Sequence, residues 1–217
     1  MVWKKKVPEY VPLDAIKRLS LYLRVLKNFQ QSGIEIISSH QITKYLNVPS
    51  SQFRKDLSYF GEFGKRGIGY EVNKLVKAIE NILGIDRIWK IILVGVGKLG
   101  AALLAYPGFS RFNFRFIAAF DIDIGKIGKT WEGVKIEDVS KMEEIVRREN
   151  VKVAMLCVPA EEAQKVAEEL VKCGIKAILN FAPVNLVLPE NVYVSNVDMA
   201  SELETLIYRL KSLTADK

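Results

Sequence analysis

Histidine and cysteine are scarce in this sequence, with one His and two Cys among 217 residues. A metal centre built on imidazole or thiolate needs several such ligands at short spacing, and no such cluster occurs. Cys157 and Cys173 fall in an apolar strand-like run and a helix-like run without a CxxC, so both are expected as buried free thiols. Uninterrupted apolar runs of about 18 residues are also missing, which excludes a membrane-spanning helix. The opening Met1-Val2-Trp3-Lys4-Lys5-Lys6 is basic with no apolar segment behind it, so a soluble, cytoplasmic protein with no membrane partner is expected.

Charge is present but uneven. Residues 1–86 hold 14 Lys+Arg against 8 Asp+Glu, net +6, whereas residues 87–217 hold 18 against 17, net +1. A concentrated basic surface attracts a polyanion by neutralising phosphates and releasing counterions, so double-stranded DNA is the expected partner of the first part. Its helices follow from periodicity. Apolar Ile16, Leu19, Leu23, Leu26 and Phe29 recur at helical steps from Leu13 to near Gln31, and Gly33 follows. Ser38 or Ser39 caps a short second helix through Leu46, Asn47-Val48-Pro49 breaks it, and Ser50 is placed to cap a third.

In that helix-turn-helix, Ile42, Leu46, Val48, Phe53 and Leu57 supply the crossing contacts, leaving Ser51, Gln52, Arg54 and Lys55 to face outward. These side-chain types suit a DNA groove: Arg and Lys reach phosphates or guanine, Gln pairs with adenine, and Ser donates to phosphate. Next comes Gly61-Glu62-Phe63-Gly64-Lys65-Arg66-Gly67-Ile68-Gly69-Tyr70, a glycine-rich hairpin with Lys65 and Arg66 at its tip, which reads as a basic wing. A further helix spans about Val72 to Leu83. The expected unit is a winged-helix DNA-binding domain over residues 1–86.

The second part begins with the strand-like Ile91-Ile92-Leu93-Val94, which breaks into Gly95-Val96-Gly97-Lys98-Leu99-Gly100 before a helical run. In a dinucleotide fold the first glycine makes the turn, the second admits the pyrophosphate and the third lets helix and strand pack. A second strand, Arg115 to Phe120, ends in Asp121, 21 residues after Gly100. A carboxylate there accepts both ribose hydroxyls and repels a 2′-phosphate, so NAD(H) is the expected cofactor, with Asp123 the weaker candidate. Strand Val151–Val158, helix Ala160–Cys173 and strand Lys176–Phe181 continue the alternation of a doubly wound parallel sheet over residues 87–198. Pro159 and Phe181 fall at strand ends, where they wall the cleft, although Phe181 fits core packing equally well.

A dehydrogenase also needs a proton donor and substrate-binding residues. No Tyr-x-x-x-Lys pair follows the glycine turn, no Gly-x-Ser-x-Gly elbow occurs, and the one histidine, His40, lies in the basic part. A cofactor site without catalytic machinery makes the cofactor a signal, so the chain is not expected to be an enzyme. The final helix, about Ala200 to Ser212, places Leu203, Leu206, Ile207 and Leu210 on one face, which must bury itself on its own sheet or on a second copy.

Four stretches resemble the Rex family of redox-sensing transcriptional repressors: Arg54 to Gly67, Gly95 to Gly100, Val158-Pro159-Ala160, and Asn180-Phe181-Ala182-Pro183. The resemblance extends over nearly the whole chain. It implies a homodimer that exchanges the C-terminal helix of residues 199–217. It also implies that the dimer binds a palindromic operator when NAD+ predominates and leaves it when NADH binds. It further implies a switch in which Arg24 pairs across the dimer with Asp198 near Tyr106, a tyrosine that also meets the cofactor. Relatives often carry Phe after that aspartate, where this chain has Met199, so an aromatic contact to the nicotinamide is not expected at that position.

Overall fold

The computed structural model describes residues 11–215, so the basic Lys4–Lys6 stretch lies outside the described residues. The chain divides into two compact units between Arg87 and Ile88.

In the first unit, α1 (Leu13–Gln31) buries Ala15, Leu19, Tyr22, Leu23 and Leu26, the stripe that a 3.6-residue period aligns. It closes where the N–H groups of Gly33 and Ile34 return to the carbonyls of Gln30 and Phe29, the double-bonded helix end that favours glycine after the cap. Two-residue strand β1 (Ile36–Ile37) follows, then α2 (Ser39–Thr43), α3 (Ser50–Ser58), strand β2 (Tyr70–Glu71) and α4 (Val72–Ile82). Ser38 caps α2 in a reciprocal box with Gln41. α2 ends three residues before the expected Leu46, because Tyr45 and Leu46 donate to Ile42 and Thr43 in tighter turns ahead of Pro49. Ser50 is not a cap: Pro49 holds that position and Ser50 begins the helix. β1 and β2 pair antiparallel, Ile36 with Glu71 and Ile37 with Tyr70. Phe53 sits at the centre of this core, its ring edge-on to Tyr22 at 4.8 Å and to Tyr70 at 5.4 Å.

The second unit runs β3 (Trp89–Val94), α5 (Lys98–Leu104), α6 (Gly108–Arg111), β4 (Phe114–Asp121), β5 (Thr130–Trp131), β6 (Val134–Asp138), α7 (Met142–Glu149), β7 (Val153–Leu156), α8 (Ala160–Cys173), β8 (Ala177–Asn180), β9 (Tyr193–Asn196) and α9 (Met199–Ala215). The sheet order is β5-β6-β4-β3-β7-β8-β9, parallel throughout except for the antiparallel β5 edge. Alternate residues of β3 feed opposite faces: Ile92 and Val94 pack with α7 and α8, Ile91 and Leu93 with Leu104 and Ile136. The chain leaves β3 for β4 on one side and later returns to β7 on the other. That change of direction opens a crevice at the carboxyl end of β3, where ligands of open α/β sheets sit. Strands β7 and β8 are shorter than expected, because Val151 and Lys176 lie in the connections.

No described helix is long and apolar enough to cross a membrane. Cys173 is buried as expected, but Cys157 is only half-buried, because it sits at the open end of β7.

Candidate functional site

The glycine turn after β3 shows three different demands on three glycines. Gly95 has φ +95°, and a Cβ there would stand 2.5 Å from the Cys157 carbonyl oxygen. A Cβ on Gly100 would stand 2.0 Å from the Gly95 carbonyl oxygen, so this glycine lets α5 lie against the turn. No protein atom comes within 4 Å of a Cβ built on Gly97, which precedes α5 without any side-chain cap. Backbone N–H groups are thus presented on an open side where a pyrophosphate can approach, beside the exposed Lys98. Val96 is buried beneath the turn and Leu99 borders the cleft. The residues present fit a dinucleotide.

Asp121 ends β4 at the same crevice and is almost fully buried. Its Oδ2 accepts from the Val96 N–H at 2.8 Å and from Lys126 Nζ at 3.0 Å, and Oδ1 accepts from the Asp123 N–H at 2.9 Å. Burial alone raises its pKa, but the Asp123 N–H, Lys126 and the Val96 N–H outweigh burial and hold the carboxyl below the ordinary range. It is therefore ionised at neutral pH. Three donors fill three of about four acceptor positions. A ligand that needs two acceptor positions on Asp121 would have to displace Lys126, a condition the strand-end position alone did not reveal. Asp123 is exposed, and its Oδ1 is taken up by the Gly125 N–H within its own loop, which leaves Asp121 as the cleft acid.

The cleft measures about 510 Å³, and Pro159 and Cys157 line it opposite Asp121 and Lys126. Burial pushes the Cys157 thiol up to about 12, which keeps it protonated and unreactive. Phe181 packs against the core around Leu93, Val96 and Met155. Tyr106 lies past the far end of α5 from the glycine turn, exposed and edge-on to Phe109 at 5.2 Å, and lines a separate cavity of about 460 Å³. Within one chain it therefore stands apart from the dinucleotide cleft. Asp198 is exposed, and its Oδ1 accepts from the N–H groups of Ala200 and Ser201, capping α9. Arg24 is exposed on α1.

In the first unit, α3 and the hairpin turn frame a cavity of about 760 Å³ lined by Ser39, Arg54, Lys65 and Arg66. The turn is closed by the Lys65 N–H to the Gly69 carbonyl and the reverse bond, at 2.9 and 3.0 Å, leaving Arg66 at its tip and Lys65 at its closing pair, both exposed. Arg54 Nη1 donates to Ser39 Oγ at 2.9 Å, and Ser51 and Lys55 are exposed elsewhere on α3. Gln52 departs from the expected outward orientation. It is half-buried, and its Nε2 donates to Asp56 Oδ1 at 2.7 Å, because a carboxylate with no exposed surface lies four residues on along the same face.

α9 does not bury its apolar face on its own sheet: Leu203, Leu206, Ile207 and Leu210 are each at least 60 % exposed.

A winged-helix unit with a cationic groove and a dinucleotide-binding α/β unit, carried on one chain, define a nucleotide-responsive DNA-binding regulator. Residues 10–58 match the family of DNA-binding protein N-termini, and residues 86–184 match the CoA binding domain family. The chain is 45% identical over 201 residues to the redox-sensing transcriptional repressor Rex of Carboxydothermus hydrogenoformans, covering 93% of this chain and 97% of that protein. It is 43% identical to Rex 1 of Thermotoga maritima, over 93% of this chain and 97% of that one. The crystal structure of RSP, a Rex-family repressor, in complex with β-NAD+ and operator DNA superposes with a TM-score of 0.89 at 35% identity, over 95% of both chains. RSP with β-NADH gives 0.85 at 34% identity, over 97% of this chain and 98% of that one. The chain belongs to the Rex family of redox-sensing transcriptional repressors, a non-enzymatic class of regulator.

Proposed function

We propose that this chain acts in the cytoplasm as a homodimer that binds a palindromic operator when NAD+ predominates and leaves it when NADH binds. The observation that carries this reading is the pairing, in one chain, of the Arg54–Lys65–Arg66 groove with the three-glycine cleft closed by Asp121. RSP has been seen with β-NAD+ and operator DNA and, separately, with β-NADH, the two ligand states this reading requires.

The geometry supports the roles given to the cleft and α3 residues, and the family resemblance those given to the switch. The Gly95–Gly100 turn with Val96, Lys98 and Leu99 holds the pyrophosphate, Asp121 the adenine ribose, and Pro159 walls the cleft. Phe181 supports that wall from the core. When bound, the cofactor supplies a nicotinamide that is cationic as NAD+ and neutral as NADH. A ligand shifts an equilibrium only by its differential affinity for the two states, so the protein must bind NADH better in its DNA-free arrangement. Arg24, Asp198 and Tyr106 form the switch between arrangements, with Arg24 and Asp198 paired across the dimer. Asp198 is already committed to capping α9, so its pairing ties the switch to that helix. Ser51, Arg54 and Lys55 of α3, with Lys65 and Arg66 of the wing, contact DNA, whereas Gln52 is turned inward to Asp56.

A mobility-shift titration on a palindromic operator at fixed salt tests the reading, since affinity depends steeply on ionic strength. NADH should remove the shifted band and NAD+ should retain it; a band indifferent to both nucleotides would reject it. By linkage, operator must weaken NADH binding by the factor with which NADH weakens operator binding.

The exposed face of α9 supports the dimer. Leu206→Asp with Leu210→Asp is expected to leave a monomer by light scattering while NADH is still bound. Asp121→Ala, which removes charge-assisted hydrogen bonds, should weaken NADH by about 1.5–3 kcal/mol in a fluorescence titration. Arg54→Ala should leave that titration unchanged and weaken DNA; loss of NADH binding in folded Arg54→Ala would contradict the separation of sites.

A further inference from the structure

Asp56 has no exposed surface, yet it lies on α3 beside the cations that face outward. Arg18 of α1 grips it with Nε at 2.6 Å and Nη2 at 2.9 Å, Tyr22 Oη, one helical turn further along α1, donates at 2.7 Å, and Gln52 adds its amide at 2.7 Å. The carboxylate is saturated: three of the four hydrogen bonds it accepts come from α1, two from Arg18 and one from Tyr22, and the fourth from Gln52 on its own helix. Phe53 and Leu57 also hold α3 against the core, but apolar contact is non-directional and fixes a distance better than a rotation. A planar guanidinium fork on a carboxylate fixes both.

Rotation matters here. With side chains an α-helix has a radius of about 5–6 Å, so a turn of about 20° about its axis carries a side-chain tip about 2 Å. Hydrogen bonds to base edges tolerate only a few tenths of an ångström, whereas attraction to phosphate tolerates far more. A buried ion pair is a poor source of stability compared with apolar packing of the same volume, so its use at this position asks for another reason.

We infer that Asp56, held by Arg18 and Tyr22, sets the rotation of α3 and is thereby a positioning residue for base-specific, as opposed to phosphate, contact with DNA. This rests on α3 being the recognition helix.

The test uses the full-length chain with two changes: Asp56→Asn, and the charge-free pair Arg18→Met with Asp56→Leu, which keeps volume in the site but no directional bonds. Binding is measured to operator and to a scrambled duplex over a range of salt, with NADH titration and thermal melting alongside. The ratio of operator to scrambled affinity should fall roughly tenfold or more, the size of one or two lost base contacts. Scrambled binding, its salt slope and NADH affinity should stay as they are. An unchanged ratio in the folded double variant, or a parallel loss of both DNA affinities, overturns the inference. A second arm needs no DNA: amide hydrogen exchange should quicken across α3 in Asp56→Asn while α4 stays protected, and unchanged protection of α3 overturns the inference. If the unaltered chain shows no preference for operator, the recognition-helix reading fails, and the exchange arm still decides whether Asp56 holds α3.

Discussion

Replacing Gly100 with alanine is expected to weaken NADH binding by about 1–3 kcal/mol, roughly five- to 150-fold, and to lower the melting temperature with it. The added Cβ would meet the Gly95 carbonyl oxygen at 2.0 Å, closer than any packed carbon and oxygen can stand. The oxygen cannot retreat easily. Gly95 is fixed by its N–H to the Phe120 carbonyl at 2.9 Å, and its other side faces the Cys157 backbone. α5 must therefore lift from the sheet, and the pyrophosphate seat moves with it. Gly97→Ala is the informative contrast, because its Cβ meets no protein atom. That variant should melt like the unaltered chain and lose only nucleotide affinity. Undiminished NADH binding by both would show that the turn is not the cofactor seat.

Arg18→Ala is expected to destabilise the first unit by about 3–5 kcal/mol, as much as truncating a large core side chain, because it leaves Asp56 charged and buried without its cation. The effect has a pH signature. Burial raises the Asp56 pKa, but hydrogen bonds from Arg18, Tyr22 and Gln52 outweigh it and hold the carboxyl below its ordinary value. A depressed carboxylate contributes stability that is complete above the unfolded pKa of about 3.9 and is lost as pH falls through the folded one. Without Arg18 the folded pKa rises, so the acid limb of melting temperature against pH should move upward. A parallel drop at every pH would mean that Arg18 acts through its aliphatic stem alone.

Much of the architecture was legible because burial imposes a period. The stripe of α1, the unbroken apolar run of β3, which is buried on both faces, and the distinct work of three glycines all leave marks in residue order. What escaped has physical causes. β1 is two residues long, too short for any alternation, and is defined only by its partner Tyr70–Glu71. Gln52 looks like a groove-facing amide until Asp56 is recognised as inward. That signal was present: Asp56 shares the i, i+3, i+4 face of Phe53 and Leu57, an odd position for a charge unless a cation waits across the core. Lys126 was missed because its pairing with Asp121 depends on the loop path after β4, which no periodicity records. The placement of Tyr106 away from the cleft reflects the length of α5, which the glycine pattern does not set.

The wing is pinned at its base and loose at its tip. Gly69 lies so near β1 that a Cβ would stand 2.6 Å from the Ile37 carbonyl oxygen, and Gly64 is similarly hemmed in by the Tyr70 ring. Between the closing pair Lys65 and Gly69, Gly67 has open space around it and Ile68 is well exposed. Room for other side chains thus lies at Arg66 and Ile68, whereas Gly67, at φ +80°, keeps a backbone that favours glycine despite the open space around it. A change of side chain at those two positions would alter how this hairpin meets grooves of different width, while the base that holds it stays as it is.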